Sequence, residues 1–427
     1  MKFIALNCLL LFLVHECVSQ SLDLNYYILQ AKANSPLIQD TKNQSEANKL
    51  DLERIKAIYT KPQVTFNAAL ALSPIINNDN GNAQLQLGPN DAINYRGYDI
   101  AASNGGIYQS MINVNQPLFN ASKTKMASEQ LQVAKQINQN SIQLTEHDIE
   151  KIVGDQYILC LQNMKQTTYI EQLLQLLKEQ KEVVSKLAEA GLLKQSDLLL
   201  VNIEQQSQLN AILQFKSINR RDLMDLNILC GINDTAFVKL KELDLNLNAS
   251  KAVSNFIEKF RLDSLNLLAS SKLFELKYQP QFSSFANAGL NGVYLPTVPN
   301  RFGLSAGLNF SIYIFDGKQK YLNRRKTDYL IQSTQGYKSN FITQNTIREN
   351  KILNEIASLD ERILSSKQQL ADYKQLLDYY KKEVVTGQQS VTAYISTVKN
   401  LALLQRDYVL MQTNKQLLIN TYNYWNW

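Results

Sequence analysis

Proline is missing from most of this chain. Its eight prolines fall at positions 36, 62, 74, 89, 117, 280, 296 and 299, so residues 118–279 and 300–427 contain none, and glycine is sparse in both stretches. Proline and glycine mark where secondary structure stops. Two uninterrupted stretches of this length argue against a string of small globular domains and predict very long helices. Histidine is scarcer still: beyond the first twenty residues only His147 remains, inside a polar helical run. No group of His, Cys and acidic residues has metal-ligand spacing, and neither a Gly-rich phosphate loop nor a nucleophile elbow occurs. These absences speak against an enzyme and imply no cofactor. Charge of one sign is not concentrated anywhere. The 44 Lys and Arg and 38 Asp and Glu are mixed along the chain, without the basic block or arm of a nucleic-acid binder. Nor is there an apolar run of about twenty residues, the length a transmembrane helix needs. Any membrane contact therefore has to come from strands.

The first residues read as a secretory signal. Lys2 supplies the positive start, Phe3 to Val14 is apolar except for Asn7, and Cys17-Val18-Ser19 is a small-residue end with cleavage after Ser19 or Gln20. A signal over residues 1–19 leaves two cysteines, Cys160 and Cys230, each on an apolar helical stretch. They read as buried thiols, although an exported protein is also permitted a disulfide.

Four segments alternate between apolar and polar residues. Val64, Phe66, Ala68, Leu70 and Leu72 share one face of the first; Tyr108, Ser110, Ile112 and Val114 share one face of the second. The third runs from Gln281 to about Tyr294, and the fourth places Leu304, Ala306, Leu308, Phe310, Ile312 and Ile314 on one face. A period of two predicts strands over about 62–76, 107–119, 280–295 and 302–315. About ten residues of apolar-out, polar-in alternation suits a lipid-facing barrel strand; a soluble sheet with one face on a core is the alternative. Residues 77–106, rich in Asn, Gly and Asp, read as a long polar loop, and 295–301 as a tight connection. Tyr95, Tyr98, Tyr108, Tyr294 and Phe302 lie at strand ends, where a membrane interface would place aromatic rings.

The two strand pairs resemble each other. Pro62-Gln63-Val64 opens one and Pro280-Gln281-Phe282 the other; Leu118-Phe119-Asn120-Ala121 closes one and Ile314-Phe315-Asp316-Gly317 the other. Phe119 and Phe315 are 196 positions apart, and so are Gly191 and Gly387. Two landmarks at one offset indicate an internal duplication, with a first repeat over residues 20–232 and a second over 233–427.

Each strand pair leads into helices. Residues 121–190 and 318–386 each predict one helix of about seventy residues, roughly 100 Å long, with returning helices over 196–229 and 391–425. Apolar residues recur near every seventh position: Ile170, Leu173, Leu177, Val184 and Leu187, with Gln180 as the polar exception, and Leu401, Leu404, Tyr408, Met411, Leu418, Tyr422 and Trp425, interrupted by Lys415. Such heptads pack helices side by side. Gly191 and Gly387 are turn glycines between antiparallel helices. Ser196 with Asp197, and Ser390 or Thr392, are the N-cap candidates of the returning helices.

Four strands cannot close a barrel, and open strand edges in lipid leave backbone groups unpaired. The sheet then has to be completed by other copies; three copies supply twelve strands, enough for a barrel with an open lumen. A secreted periplasmic coiled-coil structural or adaptor protein is the competing reading.

Taken together, the order, spacing and duplication of these motifs resemble the TolC family of outer-membrane efflux and secretion channels. The opening Leu22-Asp23-Leu24 through Ala31-Lys32-Ala33-Asn34-Ser35-Pro36 joins the strand starts, strand exits and turn glycines already named in carrying the likeness. The resemblance implies a mainly α-helical membrane protein: a homotrimer with a 12-stranded β-barrel in the lipid of the outer membrane and a periplasmic α-barrel. It implies a tunnel closed at its inner end, a periplasmic adaptor and an inner-membrane pump as partners, and transport without chemistry. The family's gate uses acidic residues just after the turn glycine. Asp197 fits that position, either as a ring of three copies or as a helix cap; Ala393 and Ser396 in the second repeat carry no charge. Lys194 and Gln389 lie at the tips, where an adaptor would touch.

Overall fold

The computed structural model of the protein describes residues 22–79, 81–87, 92–98, 106–234, 236, 238–249 and 254–427. The leader read over residues 1–19 lies outside these. The helices are α1 (Leu24–Asn34), α2 (Pro36–Thr60), α3 (Ala121–Glu189), α4 (Gln195–Cys230), α5 (Ile257–Glu275), α6 (Gln319–Val385) and α7 (Val391–Trp425). The strands are β1 (Gln63–Leu72), β2 (Ile75–Asn77), β3 (Gln84–Gln86), β4 (Tyr95–Arg96), β5 (Gly106–Leu118), β6 (Gln281–Gly292) and β7 (Phe302–Ser311). Helices α3 and α6, of 69 and 67 residues, lie within the proline-free stretches and end one residue before the predicted limits. Among the described residues no helix is long and apolar enough to cross a membrane.

The chain forms two compact units. One comprises Lys42–Gln139 and Lys259–Tyr337 and holds the sheet. Its four main strands are antiparallel in the order β1-β5-β6-β7. The register aligns Thr65 with Asn113, Asn113 with Asn287 and Asn287 with Ser305; one step along, Phe66 aligns with Ile112, Ile112 with Ala288 and Ala288 with Leu304. Pro62, which has no N–H to donate, follows Lys61, whose N–H still returns to the Ala57 carbonyl of α2 at 2.9 Å, and directly precedes β1. At the exit of β5, Phe119 has φ +56° and the Asn120 amide donates to the Tyr59 carbonyl at 3.0 Å, tying the start of α3 to the end of α2. At the exit of β7 the turn is built differently. Gly317 and Lys318 have φ +62° and +68°, and the Asp316 carboxylate accepts the N–H groups of Lys318 and Lys320 at 2.9 and 2.8 Å.

Three expectations are corrected here. The fourth strand stops at Ser311 rather than 315, because its partner β6 begins at Gln281, after Pro280, and leaves Ile312 to Phe315 nothing to pair with. The first strand, β1, stops at Leu72 rather than 76, and the end of the predicted strand forms, together with the region read as a polar loop, a small sheet in the order β3-β2-β4. Its strands are two or three residues long, too short to show a period; Asp79 organises it by accepting the N–H groups of Ile93 and Asn94 at 2.8 and 2.5 Å. The tight connection after β6 is a single 3-10 helix, Leu295–Asn300.

The other unit comprises, of the described residues, 22–41, those within Asn140–Glu258, and Lys338–Trp427, and is helical. One apolar cluster joins α3, α4, α6 and α7 through Leu177, Val184, Val201, Leu377, Val384 and Val398. Of the predicted heptad residues, Leu173, Leu177 and Val184 are buried, as are Leu401, Met411 and Tyr422; Lys415, the interruption, pairs with Asp360 at 2.5 Å. A second cluster gathers Tyr27, Tyr157, Cys160, Leu226, Cys230 and Leu240. There the Tyr157 hydroxyl donates to the carbonyls of Leu22 and Lys241. The extended segment that follows is held along α7 by amide side chains: Gln416 accepts the Leu245 N–H at 2.7 Å, and Asn423 accepts that of Asn248 at 2.8 Å.

Candidate functional site

No charged residue occurs in β1, β5, β6 or β7. Alternation then sorts apolar from polar by face. The apolar face carries rows that cross the whole sheet, such as Val64–Val114–Ala286–Ala306 and Phe66–Ile112–Ala288–Leu304. These side chains are uncovered: Phe66 is 67 % exposed, Leu304 79 % and Leu308 77 %. Aromatic rings bracket the aliphatic rows. Toward the helices, Phe119, Phe282 and Phe310 form a chain of contacts with ring centres 5.8 and 4.7 Å apart. At the other end stand Tyr108, opposite Leu70 and Gly292, and Phe302, opposite Leu290. Ten residues separate Phe282 from Gly292, about 34 Å along a strand and about 26 Å in height if the strand tilts by about 40°, which matches the apolar band of outer-membrane barrels.

The opposite face is polar along Thr65–Asn113–Asn287–Ser305, where the Asn287 amide donates to the Ser305 hydroxyl at 3.5 Å. Phe285 on that face lies over Gly307, where a Cβ would stand 2.7 Å from the ring. Among the described residues neither β1 nor β7 has a partner on its outer edge. Of the ring residues expected at an interface, Tyr108 and Phe302 lie within the main sheet, Tyr95 in β4, and Tyr98 and Tyr294 just outside strands.

The helix turns are the second feature. Gly191 and Gly387 both have φ +72°, a left-handed conformation that favours glycine, and a Cβ would meet nothing within 4 Å at either. In each turn the glycine N–H returns to the carbonyl three residues back, Ala188 at 3.0 Å or Val384 at 3.3 Å. The next N–H closes a wider ring, Leu192 to Leu187 at 2.8 Å or Gln388 to Glu383 at 2.9 Å. This is the same Schellman stop twice.

The starts of the returning helices differ: the Ser196 cap is corrected, and of Ser390 and Thr392 the cap is Ser390. The N-cap of α4 is Lys194, with Ser196 already inside the helix; Asp197 acts from the first turn, its carboxylate accepting the Lys194 N–H at 3.1 Å. The N-cap of α7 is Ser390, whose hydroxyl accepts the Ala393 N–H at 3.1 Å, and Thr392 lies inside the helix. Gln389, just before it, accepts the Ser390 N–H on its side-chain carbonyl at 3.0 Å. A capping box makes both contacts in one turn; here each turn makes one of them. Lys194, Ser196, Gly191 and Gly387 are exposed, and Asp197 and Gln389 are half-buried.

Polar contacts link the helix pairs. Lys399 of α7 reaches Glu204 of α4 at 3.4 Å, and Lys381 of α6 reaches Glu179 of α3 at 3.0 Å. Lys381 holds the Glu179 carboxyl below its usual range. Cys160 and Cys230 are free and buried, and burial pushes their thiols up to about 12 and about 11. At neutral pH both are therefore protonated, unreactive thiols. Among the described residues no group of three or more His, Cys, Asp or Glu could hold a metal ion. Sequence reasoning passed over the complete lack of charge in the four strands, although it is plain in the sequence once the strand limits are known.

No protein-family model matches the sequence, and no curated protein matches it significantly. Solved structures do match in fold. The outer membrane protein VceC of Vibrio cholerae superposes with a TM-score of 0.68 at 13 % identity, covering 94 % of this chain and 96 % of that one. The CmeC outer membrane channel of Campylobacter jejuni gives 0.66 at 13 %, covering 94 % and 85 %. The open state of the MtrE outer membrane channel of Neisseria gonorrhoeae gives 0.65 at 11 %, covering 94 % and 88 %. The chain has the fold of these outer-membrane channels across nearly its full length.

Proposed function

We propose that this chain is one subunit of a trimeric outer-membrane channel that conducts solutes from the periplasm to the cell exterior without chemical change. The observation that carries this reading is the sheet. It lacks charge, exposes an apolar face bracketed by aromatic rings, and is open at both edges. Three copies joined edge to edge supply twelve strands, which satisfies every edge and encloses a lumen. The apolar face then meets lipid and the polar row of Thr65, Asn113, Asn287 and Ser305 lines the water-filled interior. Shared fold with outer-membrane channels supports the same reading.

The helical unit supplies the periplasmic tunnel, with Gly191 and Gly387 at its inner tips. Lys194, exposed, and Gln389, half-buried, lie at the turns and form the contact surface for a periplasmic adaptor that connects the channel to an inner-membrane pump. Three copies of Asp197 set one acidic ring at the constriction; Ala393, at the matching place in the second turn, adds none. This arrangement derives from a duplicated unit, residues 20–232 and 233–427, the signal aside.

The test is localisation with mass. The chain is expressed with its own first residues, outer membranes are isolated, and the protein mass of the detergent-extracted particle is measured by light scattering. Three chains per particle from the outer-membrane fraction are expected. A soluble periplasmic monomer or dimer would refute the channel and leave a coiled-coil interaction protein. In planar bilayers, Asp197→Asn should reduce cation selectivity of the trimer; unchanged selectivity would remove Asp197 from the pore.

A further inference from the structure

The chain passes between helix and sheet four times, and every passage is basic. Residues 54–61 hold three Lys or Arg, residues 119–128 two, residues 272–278 two and residues 316–326 five, and the acids among them are Glu275 and Asp316. Elsewhere the two signs are almost balanced. The segments that join the strands at their other ends, 73–105 and 293–301, hold Asp79, Asp91 and Asp99 against Arg96 and Arg301. The positive charge thus gathers at one end of the sheet only.

Glu275 is already engaged, accepting two bonds from Arg324 at 2.5 and 2.6 Å with Lys320 at 3.5 Å. Among the described residues no carboxylate lies within ion-pair distance of Lys277, Lys318, Arg325 or Lys326. Aromatic rings lie beside the cations. Lys277 Nζ is 4.2 Å from the ring centre of Phe274 and 5.1 Å from that of Tyr278. The Arg325 guanidinium is 5.3 Å from the ring of Tyr329, to whose hydroxyl it donates at 2.8 Å. Tyr278 touches Tyr313 just beyond β7, its ring centre 5.8 Å away.

We infer that these passages form a collar that binds the anionic headgroups of phospholipids in the leaflet at the helix end of the barrel. The inference rests on the channel reading and adds a lipid class to it. Apolar stems and rings lie at the edge of the hydrocarbon while ammonium and guanidinium groups reach the phosphates. The collar is continuous with the uncovered apolar face, which ends in Phe119, Phe282 and Phe310. A second copy brings the same excess to the same level: with the flanking acids Asp51, Glu53, Glu129 and Asp328 counted, of which Asp51 pairs with Arg54 at 3.0 Å and Glu129 lies 4.0 Å from Lys272, basic residues still outnumber acids in every passage.

The test uses the wild-type trimer purified in an uncharged detergent and titrated, by native mass spectrometry, with dioleoyl-phosphatidylglycerol and with dioleoyl-phosphatidylcholine. Phosphatidylglycerol should bind about tenfold more tightly at low salt, with each basic group contributing about fivefold at most, and the preference should shrink as salt screens it. The variant Lys277→Gln, Lys318→Gln, Arg325→Gln, Lys326→Gln should remain trimeric and lose the preference. Equal binding of the two lipids by the wild type would overturn the collar and leave the channel standing. A variant that falls apart into monomers would also overturn it, since these residues would then face a neighbouring copy. A wild-type chain that is soluble and monomeric would refute both readings.

Discussion

Glu204 of α4 is 2 % exposed, and its carboxylate lies 3.4 Å from the ammonium of Lys399 on α7 while accepting the Gln208 amide at 2.7 Å. A buried acid is thus served by one partner on its own helix and one on the other hairpin. Removing the lysine leaves the acid without its countercharge. Lys399→Met should lower stability by about 1–3 kcal/mol, seen as a lower Tm of the detergent-solubilised protein by circular dichroism. The double variant Glu204→Met, Lys399→Met should recover most of the loss. A single variant as stable as wild type would show that the pair contributes nothing.

Gln180 should behave in the opposite sense. It is fully buried in the heptad seam between Leu177 and Val184, and neither its amide nitrogen nor its oxygen has a partner. Gln180→Leu exchanges an unsatisfied polar group for an apolar one of similar size. It should raise stability by about 1–3 kcal/mol in the same thermal assay; a lower Tm would mean that the amide is satisfied in the assembled protein.

Glycine to alanine changes should have signs that depend on position. At Gly191 and Gly387, both at φ +72°, alanine is forced into a left-handed conformation and should cost about 1–2 kcal/mol. At Gly336, inside α6 with nothing within 4 Å of an added Cβ, alanine should stabilise by about 0.5–1 kcal/mol. Urea titration of the three variants side by side would test the ordering, and equal effects at all three would contradict it.

Acid should weaken the fold. His147, then Lys32, holds the Glu150 carboxyl below its ordinary 4.5 against the opposing effect of burial; Lys381 lowers Glu179, and Arg324 lowers Glu275. A carboxyl with a lowered folded-state pKa contributes stability above its unfolded value and loses it as pH falls through the folded one. Tm should therefore stay level near neutrality and decline below pH 4.5. Lys381→Met should lower Tm at neutral pH and soften the decline; an unaltered acid profile would mean that the Glu179 contact is too exposed to count.

The period of two in β1 and β7 and the absence of proline from α3 and α6 made most of the fold readable, because each is a repeated local preference that tertiary packing reinforces. The end of β7 was not readable, since Ile312 and Ile314 continue the pattern and only the missing partner beyond Gln281 stops the strand. The cap of α4 was misread for a related reason. Ser196 is the better cap by residue type, yet backbone geometry gives the place to Lys194 and leaves Asp197 to reach back. The basic passages were hidden by the averaging of charge over the whole chain; they emerge only when residues are grouped by which end of the sheet they occupy. The heptad seam announced Gln180 as an exception, but only packing revealed that it stays buried without partners.

The unpaired edges of β1 and β7 have a genetic consequence. In the proposed assembly of three, a single copy with a damaged edge would break the ring for the other two. A proline placed in β7 where the N–H points outward would act as a dominant allele: with equal expression of both alleles, about one assembly in eight would contain only intact copies. Transport in such a mixed cell would fall far below half, which distinguishes a shared barrel from a protein whose copies act alone.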